Sequence, residues 1–402
     1  MKARFDQGAK VINTTSVNSF ILVIGFWSLQ VTAQTSNSET TPERAKKFQY
    51  QTDLIHVPGA YVDEPIRKEF SLQQAEQYLE QGSDAWTTQR KCVSCHTNGM
   101  YLLSRPELTP ELGVPAREKR DFFIEELRKL KAMDREKQLS GIRPTQIAYV
   151  AAGLVEWDQH VSRKLSPETD EALRFMLSVQ SKDGSWGNAD CWPPFESSSY
   201  HGATIAAQAI AAAPGWRENL QDPKLQASVA RLHSFLKQTE PAHDYGKVLL
   251  LWTAASSPDL ISAEQKQALI QMIREHQLPD GGWSIRSFAT PEAWGRGNRA
   301  EKLRAEPEYD QMAGRWKNLS SDGHQTGLAI LVLRESGVPA NDPQIQKGVQ
   351  WLLTHQRESG RWWTRSLNTD RWHFITYSGT FYPLLALKHC DVLPALKQTT
   401  AR

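Results

Sequence analysis

Apolar residues recur at helical spacing along most of the chain, and the three clearest amphipathic stretches lead into the same motif. The motif is Gln-x-x-x-Gly-x-Trp, at residues 180–186, 277–283 and 356–362. The stretches before it lie at residues 172–179, 268–273 and 349–353. Each stretch predicts a helix with one buried face. Copies at identical internal spacing predict a repeated structural unit.

A second, almost wholly apolar stretch follows each motif. These stretches begin at His201, His324 and Tyr377, and because they are apolar nearly all round we expect buried helices. Weaker copies of the pattern lie at residues 145–154, 227–236 and 245–252. A helix pair of this kind cannot bury its own faces, so neighbouring pairs must stack. The pattern therefore predicts an all-α protein, either an open solenoid or a closed ring.

The first unit carries a cysteine motif inside the repeat pattern. It begins at Leu72, passes Trp86, reaches Cys92-Val-Ser-Cys-His96 and continues into an apolar segment at 99–103. The motif is thus part of a repeat and does not sit on a separate domain joined by a linker.

Two charged insertions interrupt the repeats. Residues 106–142 include an amphipathic helix at 120–130, whose polar face we expect to meet solvent. Residues 287–322 lengthen the step from Trp283 to its buried helix. We expect this second insertion to be a lid or docking surface, or alternatively an ordinary surface loop.

The Gln-x-x-x-Gly-x-Trp motif resembles the repeat of squalene–hopene cyclases and related terpenoid cyclases and prenyltransferases. The resemblance covers roughly residues 70–392. It implies an all-α fold in which about six helix pairs close into an α/α toroid. The motif Gln and Trp are then expected to be structural, with the indole packed between repeats and the amide bonded to a neighbouring helix end.

The resemblance does not carry the cyclase activity with it. Squalene–hopene cyclases draw their acid from an Asp-x-Asp-Asp motif, which this sequence lacks, and the corresponding place reads Ser197-Ser-Ser-Tyr-His201. The zinc ligands of protein prenyltransferases also have no matching set. A shared fold does not establish a shared reaction, so cyclisation is not expected and enzyme activity stays open.

The N-terminus predicts export. The basic residues Lys2, Arg4 and Lys10 come before an apolar run at residues 19–29. Small residues at 31–33 then mark a cleavage site near Ala33. The run is shorter than the ~20 residues of a spanning helix, so a retained membrane anchor is the minor alternative. We expect a periplasmic or secreted protein.

The domain boundaries follow from these patterns. We expect a signal peptide over 1–33, a linker or extended arm over 34–69, the toroid over 70–392 and a C-terminal tail over 393–402.

Composition excludes some classes of partner. The chain has 402 residues, 40% of them hydrophobic, with 47 basic against 45 acidic residues and a net charge of +2. A packed globule fits these values, but no strong field favours nucleic acid. We therefore expect neither a nucleic-acid partner nor a stable membrane span.

Cys-x-x-Cys-His is typical of covalent haem attachment. The thiols of Cys92 and Cys95 would each bind one vinyl group, and His96 would be an axial ligand to the iron. The alternatives are a redox cysteine pair, which calls for a βαβ context, and a zinc site, which calls for a second ligand pair. The sequence offers neither, and it predicts one haem c.

The sixth iron ligand is predicted from the repeat register. His96, His201 and His324 all stand at the starts of buried helices, which gather at one mouth of a closed toroid. Either His201 or His324 would then approach the iron; the alternative is a capping or hydrogen-bonded histidine. Met100 lies too near His96 in sequence to reach the other face of the porphyrin.

Three functions remain open. The first is one-electron transfer, or redox or ligand sensing, with a redox partner protein. The second is a haem-dependent enzyme acting on an apolar, terpenoid-like substrate in the cavity. The third is a haem-stabilised scaffold that binds another protein through 287–322. The aromatic residues expected to line the cavity are Trp192, Trp363, Trp372, Tyr200, Tyr377 and Tyr382.

The other two cysteines are expected to be free thiols. Cys191 precedes a buried helix, whereas Cys390 lies about 20 Å further along a helix from Tyr377, at 1.5 Å per residue. A disulfide needs Cα atoms within about 7 Å.

Overall fold

The computed structural model describes residues 48–187, 194–195, 199–295, 298–368 and 373–394. The predicted signal peptide lies outside these residues. In the described part of the chain, no helix is both long and apolar enough to cross a membrane.

Helices dominate the described residues. They are α1 (Leu72–Arg90), α2 (Asn98–Ser104), α3 (Thr109–Leu112), α4 (Arg117–Lys131), α5 (Arg135–Gln138), α6 (Arg143–Trp157), α7 (Pro167–Ser178), α8 (Ser199–Ala212), α9 (Pro223–Gln238), α10 (Asp244–Ser256), α11 (Ala263–Glu275), α12 (Pro291–Trp294), α13 (Asn298–Arg304), α14 (Gly323–Glu335), α15 (Pro343–Thr354) and α16 (Ile375–His389). Two antiparallel hairpins pair β1 (Phe48–Gln51) with β2 (His56–Pro58) and β3 (Tyr309–Asp310) with β4 (Arg315–Trp316).

The buried helices form a closed ring. Helix α2 packs against α6, α6 against α8, α8 against α10, α10 against α14, and α14 against α16, which returns to α1 and α2. An outer layer of α1, α4, α7, α9, α11 and α15 surrounds them, and each of these contacts at least one inner helix. The predicted α/α toroid of about six helix pairs is confirmed.

The repeat motif fastens the two layers together. The indole Nε1 atoms of Trp186, Trp283 and Trp362 donate to the carbonyl oxygens of Met176, Ile273 and Leu352, each near the end of the preceding outer helix. All three indoles are fully buried. The motif Gln side chains each donate twice, once inside the motif and once to the next outer helix or its N-cap, at Ser228, Gln344 and Ser71 respectively.

The ring closes where the last repeat meets the first. Gln356 Nε2 donates to the carbonyl oxygen of Ser71 at 2.9 Å, and Gln356 Oε1 accepts from the Ser71 amide at 2.7 Å. These residues lie 285 positions apart in the sequence. The segment 48–69, predicted as a linker or arm, packs on this junction, where its residues contact Arg361 of the last repeat. We call this junction the seam.

Helices α14 and α16 approach each other unusually closely. Gly323 faces the Gly379 carbonyl and Gly327 faces the backbone of Pro383. A Cβ atom at either glycine would overlap that backbone, so the contact requires glycine at both positions. Pro383 cannot donate the usual helical bond to the Gly379 carbonyl, which lies against Gly323 instead.

The two charged segments contribute differently to the fold. Within 106–142, α4 is the outer helix of the second pair, and it buries Phe123, Leu127 and Leu130 against the ring. The segment 287–322 contributes α12, α13 and the β3–β4 hairpin. Its base is fixed by Arg286, whose Nε donates to Glu306 Oε2 at 2.6 Å.

Candidate functional site

The Cys-x-x-Cys-His segment forms a fixed turn between α1 and α2. Asn98 holds it at both ends: its Oδ1 accepts from the Ser94 amide at 2.8 Å, and its Nδ2 donates to the Cys92 carbonyl at 3.0 Å. Gln146 from α6 donates to the Val93 carbonyl at 3.1 Å. The turn is thus anchored to the second repeat as well as to the first.

The two cysteines of this turn differ in exposure. Cys92 is half-buried and Cys95 is 5% exposed, and no disulfide joins them. Burial raises the pKa of the Cys92 thiol, and the carboxylate of Glu126 raises it further. The thiol form therefore prevails at neutral pH.

His96 sits in a tight aromatic setting. Its ring stacks on Phe374 with centroids 4.8 Å apart and meets the edge of Trp86 at 4.6 Å. Nδ1 is 2.9 Å from the Thr97 hydroxyl, whose oxygen is also 2.9 Å from the Tyr50 hydroxyl. Burial lowers the pKa of His96 to about 3, so the imidazole is neutral at physiological pH.

This environment fits an axial haem ligand. A ligating imidazole must be neutral and needs one nitrogen bonded to a partner and the other available to the metal. Among the hydrogen bonds of the described residues, His96 uses Nδ1 and none involves Nε2. A protein-only metal site is not supported: in the described part of the chain, no group of three or more His, Cys, Asp or Glu side chains is arranged to hold a metal ion. A haem iron needs only one or two protein ligands.

The candidate sixth ligands lie inside the ring and are already hydrogen-bonded. His201 Nε2 is 2.9 Å from the Tyr149 hydroxyl. His324 Nε2 is 3.1 Å from the Tyr245 hydroxyl, and its Nδ1 is 2.8 Å from the Ser378 hydroxyl. Both imidazoles are almost fully buried, and burial lowers the pKa of each to about 3. For His324 to ligate iron, one of its two hydrogen bonds would have to break, whereas the Tyr149 bond of His201 involves only Nε2. The choice between the two histidines stays a prediction.

The predicted cavity lining divides into several environments. Tyr382 lies in the interior, with its ring 5.0 Å from that of His324. Tyr377 instead packs at the seam, where its hydroxyl donates to the Leu79 carbonyl. Tyr200 faces Phe235 of an outer helix at 5.9 Å, and Trp363 lies 4.5 Å from His373. Trp192 and Trp372 lie outside the described residues.

Several interior residues were not identified from the sequence. Phe195 contacts both His201 and His324, with ring centroids 6.3 and 5.7 Å away. Tyr149 and Tyr245 bond those histidines, and His243 adds to the lowering of the His201 pKa. The available signal was positional: His243 and Tyr245 stand at the start of an inner helix, as His201 and His324 do.

One buried acid also lies beside these histidines, at the start of inner helix α14. Asp322 caps α14: its Oδ1 accepts from the Gln325 amide at 2.9 Å and its Oδ2 from the Ile285 amide at 2.7 Å. Burial raises its pKa to about 6. Because both carboxylate oxygens hold backbone amides, the geometry assigns Asp322 a capping role.

A charged cluster lies at the other end of the ring, where the inner helices α14 and α16 finish. His389 Nε2 lies 2.8 Å from Glu107 Oε1 and 3.9 Å from Glu335 Oε1, and Trp252 donates to Glu335 Oε2 at 3.0 Å. Burial raises the pKa of Glu335 to about 7. Hydrogen bonding to Glu107 raises the pKa of His389 against an opposing effect of burial.

Cys390 lies near this cluster as a buried thiol, and burial raises its pKa to about 11. Cys191 lies outside the described residues. That the two do not form a disulfide therefore stays a prediction.

Comparison with known proteins identifies similar sequences. No protein-family model matches the chain. A squalene–hopene cyclase of Schizosaccharomyces japonicus is 38% identical over 68 residues, which cover 16% of this chain and 10% of that protein. A squalene–hopene cyclase of Zymomonas mobilis is 23% identical over 247 residues, or 54% of this chain and 33% of that protein. The matches thus span a third or less of these relatives.

A comparison of structures gives a more distant similarity. The type II terpene cyclase MstE from Scytonema, solved in complex with its substrate geranylgeranyl dihydroxybenzoate, is 13% identical with a TM-score of 0.40. The similarity covers 80% of this chain and 99% of that one. The closed ring of helix pairs, together with the squalene–hopene cyclase relatives, gives this chain a terpenoid cyclase-like scaffold.

Proposed function

We propose that the chain is a c-type haem enzyme that acts on an apolar, isoprenoid-like molecule held inside the toroid. The observation that carries the haem assignment is the setting of His96, directly after the cysteine pair. Its ring is neutral, packed between Trp86 and Phe374, and bonded through Nδ1, while no described partner takes Nε2.

The protein residues would divide the work as follows. Cys92 and Cys95 would attach the haem and His96 would bind its iron, and the bound group would supply one-electron redox chemistry. Trp86 and Phe374 pack on the imidazole and fix the orientation of its ring. The protein thus fixes position and polarity, and the reactive centre belongs to the cofactor.

The substrate class is inferred from the scaffold and its interior. Squalene–hopene cyclases are the relatives found, and the inner helices bring Tyr149, Phe195, Tyr245 and Tyr382 around His201 and His324. Aromatic walls of this kind suit an apolar molecule with few polar groups. Cyclisation by an Asp-x-Asp-Asp acid is not part of the proposal, since the sequence lacks that motif.

The proposal includes export to the periplasm or beyond, with a redox protein as electron source or acceptor. Electron transfer without a substrate is the second candidate. It would need His201 or His324 as a second ligand to the iron, and both imidazoles are neutral, as such a ligand must be.

The test is to express the full chain with a c-type haem maturation system and to record optical spectra with and without squalene or geranylgeraniol. Haem that survives acid-acetone extraction, and is lost in Cys92→Ala/Cys95→Ala, supports attachment. A high-spin iron whose Soret band responds to the isoprenoid supports the enzyme. A low-spin iron that ignores it supports electron transfer, and a colourless folded protein refutes both.

A further inference from the structure

We propose that a groove between the charged segment 287–322 and the start of α10 binds a carboxylate with an aliphatic chain, with Arg315 and His243 as donors to the carboxylate. This site is separate from the proposed haem site and does not depend on it. The sequence left a lid, a docking surface and an ordinary loop open for the segment 287–322. The inference makes that segment one wall of a ligand site.

The groove is a fixed part of the fold. Its volume is about 440 Å³, within the range of small-molecule sites. Residues 242–244 form one side, and residues 287–290, 293, 309 and 314–316 form the other. Trp316 is anchored to this second side, because its Nε1 donates to the Ala289 carbonyl at 2.9 Å, and the Tyr309 ring meets it edge-on at 5.0 Å.

The walls offer apolar surface to a ligand. The rings of Tyr309 and Trp316 are only partly buried, and Ala242 and Ala293 are exposed. An aliphatic chain lying along these side chains would remove their apolar surface from water. The groove therefore suits a molecule with an apolar body.

Arg315 supplies an uncompensated positive charge. It lines the groove and is exposed, and its side chain makes no hydrogen bond or ion pair with any residue that the structure describes. Lys317, two residues further on, is instead paired with Asp310 at 3.5 Å. A guanidinium is planar and presents parallel N–H donors, which match the two oxygens of a carboxylate.

His243 supplies a neutral donor on the facing side of the groove. Its Nδ1 accepts from the Gly246 amide at 2.9 Å, and its ring packs against Trp294 at 5.2 Å. Burial lowers the pKa of His243, so the imidazole is neutral, and a neutral ring that accepts at Nδ1 carries its proton on Nε2. Among the hydrogen bonds of the described residues none uses Nε2, which leaves this N–H for a ligand.

Asp244 does not cancel the positive charge of the groove. Its carboxylate also lies in the lining, but it lies 3.2 Å from His276 Nε2 and accepts from Lys247 Nζ at 3.0 Å. These two bonds, that of His276 first, hold the pKa of Asp244 at about 2. Asp244 is thus ionised and already paired, whereas Arg315 is not, so the groove favours an anion.

The hairpin offers a matched control. Arg315→Gln removes the cation from the groove at an exposed position. Lys317→Gln removes the same charge two residues away, from a side chain that does not line the groove. His243→Asn keeps a side-chain acceptor for the start of α10 but is too short to replace Nε2.

The experiment is calorimetric titration of the full chain with decanoate, and with decanol as the uncharged ligand of equal chain length. We expect Arg315→Gln and His243→Asn to weaken decanoate binding about tenfold, the loss of a charge-assisted hydrogen bond in a partly solvated site, and Lys317→Gln to bind as the wild type does. Decanol affinity should be the same in Arg315→Gln and in the wild type.

Several results would overturn the inference. These are wild-type affinity for decanoate in Arg315→Gln, an equal loss in Lys317→Gln, and a loss of decanol binding as large as that of decanoate. A wild-type protein that binds no decanoate also overturns it. The haem proposal would still stand in each case, because the optical spectrum decides that proposal separately.

A second measurement locates the ligand without any substitution. A decanoate with a photoreactive diazirine at the chain end is irradiated with the full chain, and the labelled peptides are identified by mass spectrometry. Label on peptides that contain Tyr309 or Trp316 supports the groove. Label confined to the inner helices around His201 and His324 overturns it.

Discussion

Arg361 joins the arm to the last repeat at the seam, and its substitution is the most direct test of that contact. Its Nε lies 2.8 Å from Glu64 Oε2, Nη1 donates to the Pro58 carbonyl at 2.8 Å, and Nη2 donates to the Gly59 carbonyl at 2.6 Å. The guanidinium also lies over the Tyr78 ring and is 2% exposed. All of its acceptors belong to the arm, so Arg361→Ala tests whether the arm holds the ring closed.

The magnitude follows from burial and geometry. Each bond to a charged donor contributes about 1.5–3 kcal/mol, but the three bonds are not additive because the freed carbonyls regain water. Removing one partner of a buried ion pair costs about 3–5 kcal/mol. Since Glu64 is 13% exposed and gains solvent on release, we expect the lower end, about 3 kcal/mol. Arg361→Lys keeps the positive charge but loses the several N–H donors of the guanidinium, so we expect an intermediate loss in free energy of unfolding.

The assay is urea unfolding followed by circular dichroism and tryptophan fluorescence. The control is Arg365→Ala. Arg365 is 38% exposed and its ion pair with Glu306 is long, at 3.4 Å, so the substitution is expected to lower the free energy of unfolding by under about 1 kcal/mol. A loss below about 1 kcal/mol for Arg361→Ala, at an unchanged denaturant slope, would refute the claim that the arm clamp stabilises the closed ring.

Three further predictions concern other parts of the ring. Gln277→Leu removes two amide bonds and leaves their carbonyls unpaired, so we expect a loss of about 2 kcal/mol in free energy of unfolding by urea titration; an unchanged value would contradict a stapling role. Gly327→Ala forces a methyl into the backbone of α16, and we expect a fall in Tm well beyond that of Gly187→Ala, whose methyl would meet only Pro144 at an ordinary 3.5 Å. Equal effects of the two substitutions would contradict the close contact. The contribution of Glu335 to stability is expected to fall as pH rises from 5 to 8, because a carboxyl with its pKa raised to about 7 becomes a costly buried charge, by about 3 kcal/mol in full. The buried histidines His201 and His324, with pKa values lowered to about 3, act in the opposite direction below pH 6.5, so the test compares variant with wild type at each pH. Glu335→Gln should gain Tm relative to the wild type as pH rises from 5 to 8, and a Tm difference that does not change with pH would contradict it.

The sequence predicted the repeats because their signal is periodic. The indoles of Trp186, Trp283 and Trp362 make the same hydrogen bond in each repeat, so one short motif was enough to predict the repeated helix pairs. The arm gave no such signal, since Tyr50 reaches Thr97, and Glu64 reaches Arg361, only through contacts between segments distant in sequence. The amphipathic helix at 120–130 was predicted, but its place as an outer helix of the ring depends on its neighbours.

The candidate site was predicted only in part, because some of its residues are adjacent in sequence and others are not. Cys92, Cys95 and His96 form a local motif that can be read without a fold. The partners of His96 come from α1, the N-terminal arm and the segment before α16, so spacing in the sequence gave no indication of them. The tyrosines bonded to His201 and His324 likewise come from neighbouring inner helices, and only the closed ring brings them together.

The seam also determines the order in which parts of the ring can form. Ser71 and Gln356 are 285 positions apart, and chain growth at about 5–20 residues per second separates their appearance by roughly 15–60 s. During that interval the first repeat lacks the partner that buries its open side, so it waits in an incomplete state. Closure cannot precede the appearance of Gln356, and a contact between such distant segments forms late because its loop-closure entropy opposes it. The first repeat, which carries the cysteine motif, therefore has to exist without its seam partner until the last repeat has been made.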